Sequence, residues 1–103
     1  METGMDKITT AYRWAKMEYY FFAMFESKLE QLREHSDNKE WFDREIVYTD
    51  MKKRYHQGEV NGLGLALIHM DGDSTYKMDD HMRQWETTMI KISKRKIEKA
   101  MKK

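Results

Sequence analysis

The sequence predicts an all-α protein, an antiparallel up-down-up bundle of three long helices at about 6–35, 39–70 and 74–102. Three observations carry this expectation. Apolar residues recur at steps of three or four along three long runs. None of the 103 residues is proline, so no obligate breaker interrupts those runs. Charged residues make up 36% of the chain, a share that suits long solvated helix faces better than a sheet. The length fits a single domain, 1–103, with a modest core.

Residues 1–5 read as a short polar lead-in that frays, with Asp6 as the N-cap of the first helix. Ile8, Tyr12, Ala15, Tyr19, Phe22, Phe25, Leu29 and Leu32 then mark its core stripe. Seven of the thirteen aromatic residues fall between Tyr12 and Phe25, so the largest hydrophobic mass of the chain sits in this helix. Ser36-Asp37-Asn38 has the small polar side chains of a turn.

The second pattern runs through Trp41, Phe42, Glu45, Tyr48, Met51, Tyr55, Val60, Leu63, Leu67 and Met70. Its phase continues across Gly58, Gly62 and Gly64, although each interior glycine costs roughly 1 kcal/mol relative to alanine. One reading is a continuous helix in which glycine allows a neighbour close approach or a mild kink. The other is a hairpin over 58–78, with Leu63 to Met70 as one strand, Asp71-Gly72 as the turn and Asp73 to Met78 as its partner. The helix is favoured, because the spacing shows no phase slip and no third strand is available to support a hairpin. Gly72 then suits the left-handed position after a helix, and Asp73 or Ser74 the next N-cap. Met78, Met82, Trp85, Met89 and Ile92 form the seam of the third helix, with Ile90, Ile97 and Met101 on a slightly rotated line.

Composition excludes several classes of function. There is no cysteine, hence no disulfide framework and no thiolate metal site. The opening Met1-Glu2-Thr3-Gly4 lacks the basic start and apolar core of a secretory leader. A reducing cytoplasm is the expected compartment, and the size and style suit a bacterial or phage accessory protein. The longest uncharged apolar run, Tyr19 to Phe25, is far short of the roughly 20 residues of a membrane span, so no membrane partner is expected. A formal net charge of +1 argues against a generic nucleic-acid binder.

Charge is nevertheless uneven. Lys91, Lys94, Arg95, Lys96, Lys99, Lys102 and Lys103 face only Glu98 in the last thirteen residues, and clustered cations supply affinity for phosphates. A tight turn at Asp71–Asp73 would make residues summing to about 144 level on the second and third helices. Lys94 would then lie beside Asp50, Lys99 beside Glu45 and Met101 beside Asp43, with Glu26, Glu30 and Glu34 at the same end. Such neighbours cancel the basic patch, which makes nucleic acid the alternative partner rather than the first. Lys52-Lys53-Arg54-Tyr55-His56 is a further basic run, read as a solvated face with Tyr55 turned inward.

Chemistry-bearing motifs are lacking. Gly62-Leu63-Gly64 has neither the third glycine nor the preceding strand of a dinucleotide turn. Asp71-Gly72-Asp73-Ser74-Thr75 opens like a calcium loop, but Tyr76 and Met82 stand where glycine and the bidentate glutamate belong. His69 with Asp71 and Asp73, and His81 with Asp79 and Asp80, read as surface residues near helix ends. No catalytic residue, cofactor or metal is expected.

One feature points outward. Beside the core stripe of the first helix lies a second, Trp14, Met17, Phe21 and Met24, displaced by about 100°. Either the helix touches both others and needs both stripes, or the second stays exposed for a partner. The sequence is read in the second sense. It describes a non-enzymatic interaction module, a regulator, inhibitor or assembly factor, that binds another protein or itself as a homodimer through Trp14, Met17, Phe21 and Met24.

Overall fold

A computed structural model describes residues 3–102 as three α-helices: α1, Gly4–Arg33; α2, Lys39–His69; and α3, Asp80–Met101. The chain is thus all-α and three-helical as expected, with an elongated shape of 51 × 24 × 15 Å.

Local chemistry moves the start of α1 forward. Thr3, not Asp6, is the N-cap: its Oγ1 accepts the Asp6 N–H at 3.1 Å, while Asp6 Oδ2 accepts the Thr3 N–H at 3.0 Å. This reciprocal pair satisfies two donors that a helix start leaves orphaned, so helix already includes Gly4 and Met5. The rest of the expected lead-in, Met1 and Glu2, lies outside the described residues. The same bonds hold the Asp6 carboxyl below the usual range.

The α1–α2 turn is fastened from both sides. Ser36 Oγ accepts the Asn38 N–H at 3.0 Å, and Lys39 Nζ donates to the Arg33 carbonyl at 3.0 Å. Arg33 holds Asp43 through two donors, Nε to Oδ1 at 2.5 Å and Nη2 to Oδ2 at 3.3 Å. Beyond it α2 runs unbroken through Gly58, Gly62 and Gly64, and no strand occurs among the described residues. The hairpin alternative is thereby excluded.

The end of α2 differs in detail from the expectation. Asp71, with φ 52°, takes the left-handed position, not Gly72. The Asp71 N–H donates to the Ile68 carbonyl and the Gly72 N–H to the Leu67 carbonyl at 2.8 Å, the paired bonds of a Schellman ending. Glycine is needed at 72 for space: a Cβ there would lie 2.6 Å from Leu67 Cδ2.

The third helix starts six residues later than expected. Asp73 spends its side chain locally, Oδ1 accepting the Thr75 N–H at 2.9 Å, while Oδ2 receives Arg13 Nη2 at 3.1 Å. Arg13 Nε also donates to the Thr75 carbonyl, and Tyr76 packs edge-on against Tyr20 at 5.5 Å. An Asp side chain bound two residues ahead favours a turn over a helix start. Asp79 caps instead, its Oδ1 accepting the Met82 N–H at 2.8 Å. Residues 71–79 therefore form a long connection strapped to α1, not a three-residue turn.

α1 and α2 pack antiparallel along their length. α3 runs parallel to α1 and meets both partners at the 34–38 end, where Asn38 Nδ2 donates to the Ala100 carbonyl at 3.4 Å. Leu29, Phe42 and Ala100 are buried there, with Phe25, Leu32, Trp41, Ile46 and Ile97 around them. Toward the other end the buried apolar residues are Tyr12, Ala15, Met17, Phe21, Leu67 and Met82.

Candidate interaction surface

The stripe assigned to a partner is largely covered by the chain itself. Met17 and Phe21 are only 1% and 3% exposed. Trp85 of α3 meets Trp14 edge-on at 6.4 Å and Phe21 at 5.4 Å. Met24 alone of the four is exposed, at the rim of an apolar hollow of about 250 Å³ between α1 and α3. The correction has a plain cause: α1 lies between α2 and α3 and uses both stripes. Of the residues read as its core seam, Phe25 borders the buried cluster, while Tyr19 and Phe22 are half-buried.

The buried seam of α2 is also not the one its apolar residues suggest. Phe42, Ile46, Thr49, Lys53, His56, Val60, Leu63 and Leu67 form a line of buried and half-buried positions spaced 4-3-4-3-4-3-4, with further half-buried residues such as Trp41, Glu45 and Glu59 beside it. Three residues of the line are polar, and two find partners on α1. Lys53 Nζ lies 3.0 Å from Glu26 Oε1 and 3.3 Å from Asp50 Oδ1. His56 Nε2 is 3.1 Å from Glu18 Oε2, and Nδ1 is 2.7 Å from Glu59 Oε1. The imidazole lies flat on Phe22, with ring centroids 5.6 Å apart. Burial pushes the Glu18 carboxyl up, while His56 opposes that shift. Glu26 Oε2 is buried without a hydrogen-bond partner. A groove of about 350 Å³ opens beside this layer between α2 and α3, lined among others by Glu18, Lys52, Tyr55, His56, Trp85 and Lys96. No cluster of three or more His, Asp or Glu placed to hold a metal ion occurs among the described residues.

Opposite this partly polar seam runs an exposed one that carries apolar residues at both of its ends. Val47, Met51, Arg54, Gly58, Asn61, Leu65 and Ile68 follow the same heptad spacing about 140° round the helix. All seven are exposed, Met51 at 65% and Ile68 at 69%. Tyr48 and Tyr55, expected to face inward, are exposed beside them. Where a Cβ would stand on Gly58, Gly62 or Gly64 no atom comes within 4 Å, so no neighbour within the chain requires glycine there. The outward signal in the sequence was the pairing of apolar residues with Gly58 and Gly62 on one face, Gly64 lying half-buried about 120° from Gly58.

The basic end of α3 is less compensated than its expected register implied. Lys91, Lys94, Arg95, Lys96, Lys99 and Lys102 are exposed, and none joins an ion pair among the described residues. Lys103 lies outside them. Asp50, expected beside Lys94, is engaged by Lys53 and Arg54, and Asp43 by Arg33. Glu45 shares a hollow with Lys96 and Lys99 without pairing with either. No helix among the described residues is long and apolar enough to cross a membrane.

Comparison of the chain with protein-family models, curated proteins and solved structures finds no significant match.

Proposed function

We propose that this chain is a non-enzymatic protein-interaction module, of the regulator, inhibitor or assembly-factor kind, that docks through the outer face of α2. The observation that carries this reading is the exposed apolar seam of Val47, Met51, Leu65 and Ile68 on a helix whose opposite face is already buried. Exposed apolar side chains grouped on one helix face, here in two pairs on either side of Arg54, Gly58 and Asn61, mark interaction sites on folded proteins. A cysteine-free chain suits a reducing compartment such as the cytoplasm. The test compares capture of a binding partner by wild type, Val47→Glu, Ile68→Glu and, as a control on another helix, Lys94→Glu. The seam variants lose the partner while keeping their helical circular dichroism, and the control retains it. Capture that is indifferent to both seam variants would overturn the reading.

A second reading is supported by the unpaired cations of α3. Six exposed basic side chains without carboxylate partners among the described residues leave a local field that attracts a polyanion. If this end binds nucleic acid, affinity falls steeply with salt and drops further in a Lys94→Glu, Lys96→Glu, Lys99→Glu variant. Salt-independent binding, or none at low ionic strength, would exclude it.

A further inference from the structure

Resting on the reading that the outer face of α2 is the docking surface, we infer that its occupant is the same face of a second copy of this chain. The two helices lie antiparallel about a two-fold axis that passes close to Gly58. A two-fold interface must be self-complementary, so that residue i meets j wherever j meets i. The seam meets that demand. About Gly58, level residues sum to about 116, which sets Met51 of one copy against Leu65 of the other and Val47 close to Ile68. Val47 and Met51 thus each face an apolar residue beyond Gly58, and Tyr55 lies level with Asn61.

Charge selects this orientation over the parallel one. Arg54 is the one charged member of the seam, and its side chain is 75% exposed while paired with Asp50. A parallel two-fold would bring Arg54 onto Arg54 of the second copy, a like-charge contact that disfavours association. The antiparallel crossing lays it over Gly62, where no side chain competes for the space. Arg44, 67% exposed and paired with Glu40 at 3.2 Å, then approaches the C-terminal end of the other α2 together with that carboxylate. That end is the negative pole of the helix.

Size and shape agree with this occupant. Val47, Tyr48, Met51, Tyr55, Leu65 and Ile68 are each more than half exposed. Tyr48 and Ile68 stand about 160° apart round the helix, so a single crossing covers only part of this surface, on the order of 500 Å² per copy, below the roughly 800 Å² of a standard interface and in the range of weak, reversible ones. Gly58 at the crossing point removes the Cβ that would hold the backbones apart, the same use of small residues that lets helices approach closely elsewhere.

The experiment uses the full chain, whose lack of cysteine makes single introduced thiols unambiguous. Sedimentation velocity follows the wild type up to several hundred micromolar. In parallel, Met51→Cys and Leu65→Cys chains are mixed under mild oxidation and the disulfides mapped. The inference expects a reversible dimer in which the mixed Met51→Cys/Leu65→Cys disulfide exceeds either homodisulfide by about tenfold. Met51→Glu weakens the dimer by roughly 100-fold. Gly58→Leu raises the unfolding temperature of the monomer, because leucine favours helix more than glycine does, yet weakens association by about tenfold or more. Dominant homodisulfides, or a Gly58→Leu dimer as tight as wild type, would overturn the antiparallel crossing. A wild type that stays monomeric throughout would overturn the second copy as occupant. In that event, loss of a captured partner on Val47→Glu would leave the α2 docking reading intact, and unaffected capture would end both.

Discussion

A single methyl group added at Gly72 tests how the α2 ending was built. The Cβ of Gly72→Ala would stand 2.6 Å from Leu67 Cδ2, with the Leu67 carbonyl and Met5 Cγ both at 3.5 Å. The last two are ordinary contacts. The first is a clash with a side chain that is 0% exposed and has nowhere to retreat without disturbing its own neighbours. Overpacking of this kind costs about 2 kcal/mol, the middle of its usual range. In a domain of about 100 residues that lowers the unfolding temperature by roughly 10 °C. The preceding residue should respond in the opposite direction. Asp71 holds φ at 52°. That conformation costs a residue with a Cβ about 1 kcal/mol, partly offset by the larger chain entropy that glycine loses on folding. Asp71→Gly is therefore expected to stabilise by about 0.5 kcal/mol.

The assay is urea unfolding monitored by circular dichroism, with unchanged slopes required before the midpoints are compared. Leu67→Ala in the Gly72→Ala background isolates the clash, because it removes the clashing carbon. The cost of Gly72→Ala should largely vanish in that background, giving a coupling of more than about 1 kcal/mol. If Gly72→Ala unfolds like wild type, or if Asp71→Gly is the more damaging change, the steric account is wrong. In the latter case the conformational demand would belong to position 72 after all.

Two further expectations concern caps and protons. Asp79→Ala removes the acceptor for the Met82 N–H and should cost about 1 kcal/mol, with Asp79→Ser recovering most of it. If urea midpoints instead show Asp73→Ala to melt α3 and Asp79→Ala to be silent, the start of the helix is misassigned. Stability should also depend on pH in two opposed ways. The hydrogen bond from Arg33 holds the Asp43 carboxyl below its usual 3.8, so its contribution is complete above that value and is lost as pH falls through the lowered one. Glu18 runs the other way: burial raises its carboxyl above 4.5, so the native state holds that proton more tightly and stability declines as pH climbs from 4.5 through the raised value. Urea midpoints collected across this range should show a smaller acidic fall in Asp43→Asn, with Asp6, Asp50 and Asp73 keeping their share, and lose the later decline in Glu18→Gln. A profile unchanged by either substitution would count against these assignments.

Helix number, helical character through the three glycines and the 34–38 turn were legible because proline is absent and the 3–4 spacing is long. The face that α2 buries was not. Its inner seam contains Thr49, Lys53 and His56, which a pattern of polarity places outside. Only the packing of α1 supplies the carboxylates of Glu18 and Glu26 that receive Lys53 and His56. Tyr48, Met51 and Tyr55 were drawn inward by the same rule and lie outside. The start of α3 was ambiguous for a different reason. Asp73 and Asp79 are equally good caps by type, and it is Arg13, some sixty residues away, that holds Asp73 in the connection. The Trp14–Met24 stripe showed that α1 is apolar over a wide arc, but the pattern alone could not say that Trp85 would cover it.

The outer face of α2 bears on how strong any self-association can be. Thr49, Lys53 and His56 interrupt its inner seam while Val47, Met51, Leu65 and Ile68 stand on its outer one, so α2 carries apolar residues on both faces where a surface helix in a lone domain carries them on one. The inner Lys53–Glu26 pair gains its contact at the expense of desolvation, so it adds little net stability. The outer side chains, each more than half exposed, hold back on the order of 1–2 kcal/mol apiece that burial would release. Eight such groups in a pair amount to roughly 8–16 kcal/mol, against association costs of about 4–15 kcal/mol. The terms nearly balance. That balance favours a reversible complex whose population follows concentration over a permanent dimer, and leaves the face available to a different protein that offers a better-matched apolar surface.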